Sequence, residues 1–209
     1  MKIKLASLCA MAGLTLTALT AQASSLVEGS VEDGKGKALT CTACHGPEGN
    51  SVNPLWPNIA GQNAPYVQAQ LKAFKAGERQ DPLMTSQAML LSDDDMADLA
   101  VYFEGLPMAA QAVKDPSSVA LGESLYRGGN LETGVAACLA CHGPSGDGNP
   151  AAGYPALRGQ HADYTAKQLR DYASGSRTSD GKTRVMRDVA SRLSDEEIAA
   201  ISSYVQGLR

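Results

Sequence analysis

Two pentapeptides in a chain of 209 residues, Cys41-Thr42-Ala43-Cys44-His45 and Cys138-Leu139-Ala140-Cys141-His142, each hold two thiols three positions apart with an imidazole directly after the second. This C-x-x-C-H spacing is the attachment signature of a c-type haem. Two thiols add to the two vinyl groups of one porphyrin, and the next residue presents its ring to the iron as the proximal ligand. A thioredoxin-like dithiol sits in a βαβ pattern, and a four-ligand zinc site needs partners that no other C-x-x-C or H-x-x-x-H supplies. Both copies continue as His-Gly-Pro. The expectation is therefore two covalent haem c groups, on Cys41 and Cys44 and on Cys138 and Cys141, with His45 and His142 as iron ligands.

The fifth cysteine, Cys9, falls in a segment expected to be removed. Lys2 and Lys4 form a positive start, Leu5 to Leu19 an apolar stretch, and Ala21-Gln22-Ala23 a small-x-small cleavage site. These are the parts of a secretory signal peptide spanning residues 1–23, cleaved after Ala23. A membrane anchor fits less well, because the stretch is short, is interrupted by Ser7, Thr15 and Thr17, and lacks basic residues after it. The mature chain is expected to be exported, soluble and without a spare thiol.

Outward from each motif the two halves run in parallel. Trp56-Pro57-Asn58-Ile59-Ala60-Gly61-Gln62 matches Tyr154-Pro155-Ala156-Leu157-Arg158-Gly159-Gln160 at an offset of 98, as do Tyr66, Gln70, Leu71, Gly77 and Arg79 with Tyr164, Gln168, Leu169, Gly175 and Arg177. Leu91-Ser92-Asp93 matches Leu193-Ser194-Asp195 at an offset of 102, so the second half carries four extra residues between Arg177 and Met186. This is a tandem duplication. Each half is small for a self-sufficient core, and a buried haem would supply much of the missing apolar interior.

The elements that must position these residues read as helical, and the expected fold class is all-α. Ser92 and Ser194 are N-cap candidates with Asp95 and Glu197 at the third helical position. Apolar residues follow at Met96, Leu99, Phe103 and Leu106, and at Ile198, Ile201, Val205 and Leu208, in steps of three and four that mark one buried face. A middle helix in each half runs from near Pro65 or Asp163 to near Gly77 or Gly175. A first helix, roughly 31–40 and 117–127, leads into each motif. The organisation is a domain over 24–106, a proline-bracketed linker over 107–116 and a second domain over 117–209.

The sixth iron ligand decides what the centres can do. The mature chain has three histidines, and the third, His161, aligns with Asn63; it reads as a surface residue near a helix start, outside the duplicated plan. Met186 is the one methionine of the second half and lies seven residues before Leu193; Met84 lies seven before Leu91. That register selects Met84 over Met89 and leaves Met96 to packing and Met108 to the linker. A histidine and methionine pair fills both axial positions, raises the reduction potential and leaves no open site for oxygen or peroxide. The carbonyls of Pro57 and Pro155 are candidates to orient the two histidines. Tyr66, Tyr164, Arg79 and Arg177 could hydrogen-bond haem propionates, with packing tyrosines and solvated arginines as the alternative.

On these two motifs, the methionine before each Leu-Ser-Asp, Arg127-Gly128-Gly129 and the ending Ile201-Ser202-Ser203-Tyr204-Val205-Gln206-Gly207-Leu208, the mature chain resembles the cytochrome c4 family. The resemblance implies two class I cytochrome c domains about a pseudo-twofold axis, with haem propionates facing across the interface. It also implies a periplasmic electron carrier, free or peripherally attached to the membrane, passing electrons from a quinol-oxidising bc complex towards a terminal oxidase. No enzyme activity and no small-molecule substrate are expected. The alternatives are a dihaem peroxidase, which needs an open iron position, and the cytochrome subunit of a flavocytochrome sulfide dehydrogenase.

Removing residues 1–23 leaves 16 basic against 22 acidic residues, a net of −6. Up to Lys114 the mature chain carries 6 basic and 11 acidic residues, a net of −5; beyond it the counts are 10 and 11, a net of −1. The acidic balance excludes nucleic acid as a partner class, and the asymmetry could steer a redox partner to one end.

Overall fold

The computed structural model describes residues 26–209, so the expected leader at 1–23 lies outside the described residues. The first half contains α1 (Val31–Lys37), a 3-10 turn (Ala38–Thr40), α2 (Thr42–His45), α3 (Ala64–Lys75), α4 (Pro82–Met89) and α5 (Asp93–Glu104). The second half repeats the order with a 3-10 turn (Pro116–Ser118), α6 (Val119–Gly128), α7 (Leu139–His142), a 3-10 turn (Pro150–Ala152), α8 (Ala162–Ser174), α9 (Val185–Ala190) and α10 (Asp195–Gly207). Among the described residues the only β pairing is two isolated bridges, Asn130 with Val135 and Asn149 with Tyr154, so the fold is all-α as expected.

The last helices form where their caps predict. Ser92 Oγ accepts the Asp95 N–H while Asp95 accepts the Ser92 N–H, and Ser194 and Glu197 repeat the box. Behind the caps, Met96, Leu99 and Phe103, and Ile198, Ile201, Val205 and Leu208, are all buried, each side chain contributing about 1.5–3 kcal/mol. In each domain the first helix crosses the last, α1 on α5 and α6 on α10. A glycine stands at each crossing. A side chain on Gly34 would collide with the Asp98 carbonyl, and one on Gly122 with the Ala200 carbonyl and the Tyr204 Cβ, so only glycine lets the backbones approach this closely.

Three elements differ from expectation. The first helix of the first half ends at Lys37 and tightens into the 3-10 turn before Cys41. The helices α4 and α9, of eight and six residues, carry Met84 and Met186 where no helix was anticipated. Helices this short show too few turns for a periodic pattern. Gly77 and Gly175 end α3 and α8 in the left-handed region, with φ of 74° and 77°, as glycine after a helix does.

Residues 107–115 form no helix but are pinned to both halves. Asn50 exchanges hydrogen bonds with the Pro107 carbonyl and the Ala109 N–H, Gln111 donates to the Gly159 carbonyl, and Asp115 N–H donates to Ser203 Oγ. Among the described residues, no helix is long and apolar enough to cross a membrane.

Candidate functional site

Each motif folds as a single helical turn, Cys41 and Cys138 acting as the N-cap residues of α2 and α7. Positions i, i+3 and i+4 of one turn share a face. The turn therefore directs Cys41, Cys44 and His45, and likewise Cys138, Cys141 and His142, to one side. None of the four motif cysteines pairs in a disulfide. Burial pushes the Cys138 thiol up to about 11, the reverse of the depressed thiolate that a redox dithiol uses.

The two histidines are buried, and their orientation is fixed. His45 Nδ1 lies 2.9 Å from the Pro57 carbonyl and His142 Nδ1 lies 3.0 Å from the Pro155 carbonyl, the two partners expected from sequence. A carbonyl can only accept, so Nδ1 carries the proton and Nε2 keeps its lone pair. Burial holds both imidazoles below their ordinary pKa, opposed by the carbonyl hydrogen bonds. A neutral ring with a bare, fixed Nε2 beside two thiols is the donor set that a haem c requires.

Met84 and Met186 sit half-buried on α4 and α9, which pack against α3 and α8. Met186 lies against the apolar cluster of Leu125, Tyr126, Leu169 and Val205. Met89 is exposed and Met96 wholly buried. Met108 lies against both Gly61 and Gly159, one from each domain.

Between the domains the repeated polar residues meet in reciprocal pairs. Gln62 Nε2 donates to the Ala156 carbonyl at 2.9 Å while its Oε1 accepts the Ala156 N–H at 2.8 Å. Gln160 does the same to the backbone of Asn58, at 2.8 and 2.9 Å. Arg79 donates to Gln70 of its own domain and to Tyr164 and Gln168 of the other; Arg177 donates to its own Gln168 and to Tyr66 and Gln70 across the interface. This is the isologous pattern of a twofold contact, here between halves of one chain.

His161 departs from expectation. It is buried, and its Nε2 lies 2.9 Å from the Ser51 carbonyl of the other domain. Asn63, at the same register, donates to the carbonyls of Asp147 and Tyr154. His161 thus belongs to the duplicated plan, as an interface residue rather than a surface one. The two arginines are likewise buried rather than solvated, and stack on Phe74 and Tyr172. Among the described residues neither forms an ion pair with a carboxylate. The glutamine pairs were not anticipated. Their signal was the conservation of Gly-Gln between the halves at a point that no helix face explains.

The family model for cytochrome c matches the chain twice, at residues 31–107 and 119–209. Cytochrome c4 of Azotobacter vinelandii is 48% identical over 189 residues, covering 86% of this chain and 90% of that protein. The chain belongs to the cytochrome c4 family. The crystal structure of reduced recombinant cytochrome c4 from Pseudomonas stutzeri superposes with a TM-score of 0.85 at 46% identity, covering 87% of this chain and all of that one. A thiosulfate dehydrogenase electron acceptor of Stutzerimonas stutzeri (strain A1501) is 35% identical over 170 residues, covering 80% of this chain and 78% of that protein. As a member of the cytochrome c4 family, the chain carries two covalently bound haem c groups, one in each domain, and serves as an electron carrier.

Proposed function

We propose that the protein shuttles electrons in the periplasm, free or peripherally attached to the membrane, from a quinol-oxidising bc complex towards a terminal oxidase. In this reading residues 1–23 are removed and the mature domains span 24–106 and 117–209. Cys41 and Cys44 tether one haem and Cys138 and Cys141 the other. His45 and Met84 would hold one iron, and His142 and Met186 the other. Each haem supplies a one-electron iron couple.

The residues of the chain do the rest. Pro57 and Pro155 hold the imidazoles in the tautomer that binds metal, and α4 and α9 present the methionines at one register. Gln62 and Gln160 clamp the halves face to face. Arg79 and Arg177, buried without carboxylate partners among the described residues, call for anionic partners, which haem propionates would supply.

The observation that carries the reading is the paired His–Pro carbonyl contact in two matching helical turns. Potentiometric titration of the purified mature protein with haem quantification tests it. Two equivalents of low-spin haem with positive potentials support the carrier; a high-spin or strongly negative haem, or spectra that change with carbon monoxide or cyanide, supports a dihaem peroxidase. Replacing Met186 by a non-ligating residue should abolish the methionine–iron absorption feature of one haem and lower its potential. If both haems keep that feature, Met186 is not a ligand.

The resemblance to a thiosulfate dehydrogenase electron acceptor favours a second reading, in which a sulfur-oxidising dehydrogenase is the donor. A flavocytochrome sulfide dehydrogenase would be one such enzyme, and co-purification with a flavin subunit would establish it.

A further inference from the structure

The glutamine bonds that join the two domains end on two particular peptide groups. The Pro57 carbonyl lies 2.9 Å from His45 Nδ1 and shares its peptide with the Asn58 N–H, which donates to Gln160 Oε1 of the other domain at 2.9 Å. The Pro155 carbonyl lies 3.0 Å from His142 Nδ1 and shares its peptide with the Ala156 N–H, which donates to Gln62 Oε1 at 2.8 Å. A trans peptide points its carbonyl and its N–H to opposite sides. Each peptide therefore bridges the motif histidine of its own domain and a glutamine of the other.

The surroundings fit a relay as well as a clamp. Each glutamine lies five residues after the proline of its own domain, yet reaches the peptide of the other proline. Each Oε1 also accepts the N–H of the next residue, Asn63 at 2.9 Å and His161 at 3.0 Å. An oxygen that takes two N–H donors cannot be exchanged with the amide nitrogen, so the acceptor end faces the peptide. His45, His142, Asn58, Ala156 and Gln62 are all buried, and hydrogen bonds in a chain shielded from water polarise one another.

The direction of the effect follows from the amide. Accepting the peptide N–H pushes electron density through the C–N resonance onto the carbonyl oxygen. That oxygen then draws harder on the Nδ1 proton, the ring gains anionic character, and Nε2 becomes a stronger donor. A stronger donor favours oxidised iron and lowers the potential.

We infer that Gln62 and Gln160 are positioning residues that tune the reduction potential of the haem in the opposite domain, each acting through the proline peptide on that domain's motif histidine. The inference rests on His45 and His142 as iron ligands.

The test is a redox titration of the haem-loaded protein in which the NMR signals of each haem report its own potential. Gln160→Leu should raise the reduction equilibrium constant of the haem on Cys41 and Cys44 about twofold, in line with a strengthening of about 10–30% per bond, and leave the other haem unmoved. Gln62→Leu should do the reverse. The control Thr178→Val removes a different bond across the interface, from Thr178 Oγ1 to the Glu78 carbonyl, and should move neither haem. Gln160→Glu keeps an accepting oxygen, so it should not raise the constant. The His45 Nδ1 proton should move upfield in Gln160→Leu and downfield in Gln160→Glu; if the leucine variant fails to fold, this downfield shift, with the His142 proton unmoved, carries the test.

A crossed pattern, each variant moving the haem of the domain it does not belong to, supports the inference. Equal shifts at both haems, a shift confined to the variant's own domain, or no shift of potential or of the His45 proton overturns it while leaving the ligands intact. Spectra of the parent protein without histidine-ligated low-spin haem would overturn the ligand reading and this inference with it.

Discussion

The helices α4 and α9 stand at the same register before a capped last helix, yet they are anchored by different chemistry. In the first domain Asp81 caps α4, its Oδ1 accepting the N–H groups of Leu83 and Met84, with Pro82 in the first turn. In the second, α9 starts at Arg184 in the left-handed region with no side-chain cap. The four extra residues bring in Asp180, whose carboxylate accepts the Arg187 N–H at 3.0 Å and Arg187 Nε at 2.8 Å. A local cap has been replaced by a near-buried ion pair reached through a longer loop. The difference teaches that the duplication holds the position of each methionine while the means of holding it has drifted.

The largest expected effect breaks that contrast. Asp180→Ala leaves Arg187 uncompensated where side-chain exposure is only 14%, and removing one partner of a buried pair costs about 3–5 kcal/mol. Asp81→Ala removes an N-cap worth about 1 kcal/mol. Thermal unfolding followed at the resolved haem signals of the two domains should show Asp180→Ala weakening one haem's signal far below the temperature at which Asp81→Ala affects the other. Equal shifts would mean that the two anchors are energetically alike.

Next in size is a difference in acid sensitivity. Lys37 bridges Asp95 and Asp98 where α1 crosses α5, whereas the α6–α10 crossing is apolar, built on Leu125, Tyr126, Ile201 and Val205. Hydrogen bonds from Lys37 hold both aspartates below the usual carboxylate range, helped by Ser92 at Asp95 and by the Ser30 N–H at Asp98. A carboxyl with a depressed folded-state pKa adds stability that is complete above its unfolded value, about 4, and is lost as pH falls below it. Lys37 is raised by the same contacts, so its contribution persists to high pH. The N-terminal domain should therefore unfold at a higher pH than the C-terminal one on acidification. Asp98→Asn should remove the gap, as read from the resolved NMR signals of each haem; one shared acid midpoint in parent and variant would exclude the ion pair as its source.

A smaller contrast lies behind the second motif. Tyr126 is fully buried and its hydroxyl donates to the Gly143 carbonyl at 2.7 Å, directly after His142. The same carbonyl also accepts the Gly146 N–H at 3.2 Å, so Tyr126→Phe removes one of its two hydrogen bonds and should cost about 0.5–1.5 kcal/mol in chemical denaturation of the C-terminal domain, with the N-terminal domain unmoved. A shift in both would show that the domains unfold as one unit through their interface.

Much of this was legible before any coordinates. The haem motifs, the duplication, the capped last helices and the proline carbonyls follow from short-range spacing, which a sequence states directly. What stayed hidden was long-range. Gln62 and Gln160, Arg79 and Arg177, and His161 acquire their roles only when the second half turns to face the first, about 100 residues away along the chain. His161 misled because its repeat partner is Asn63, a different residue type; what the two share is a ring or amide nitrogen reaching a carbonyl of the other domain. The helices α4 and α9 were missed because they are too short to display a period.

The smallest expected difference tests whether the repeat is energetic as well as geometric. Ser92 and Ser194 make the same capping box, with Ser Oγ accepting the third N–H at 3.1 and 3.2 Å and the acidic side chain returning at 2.8 Å in both. Their surroundings differ: Asp95 also faces Lys37, whereas Glu197 also accepts from Asn130 Nδ2. If the cap alone sets the helix start, Ser92→Ala and Ser194→Ala should each destabilise their own domain by about 1 kcal/mol and by equal amounts. A larger loss at Ser92 would mean that the capping serine also holds Asp95 in place for Lys37, coupling the cap to the helix crossing. The double variant Ser92→Ala with Lys37→Met decides it: losses that add keep cap and ion pair independent, and losses that fall short of the sum make them one unit.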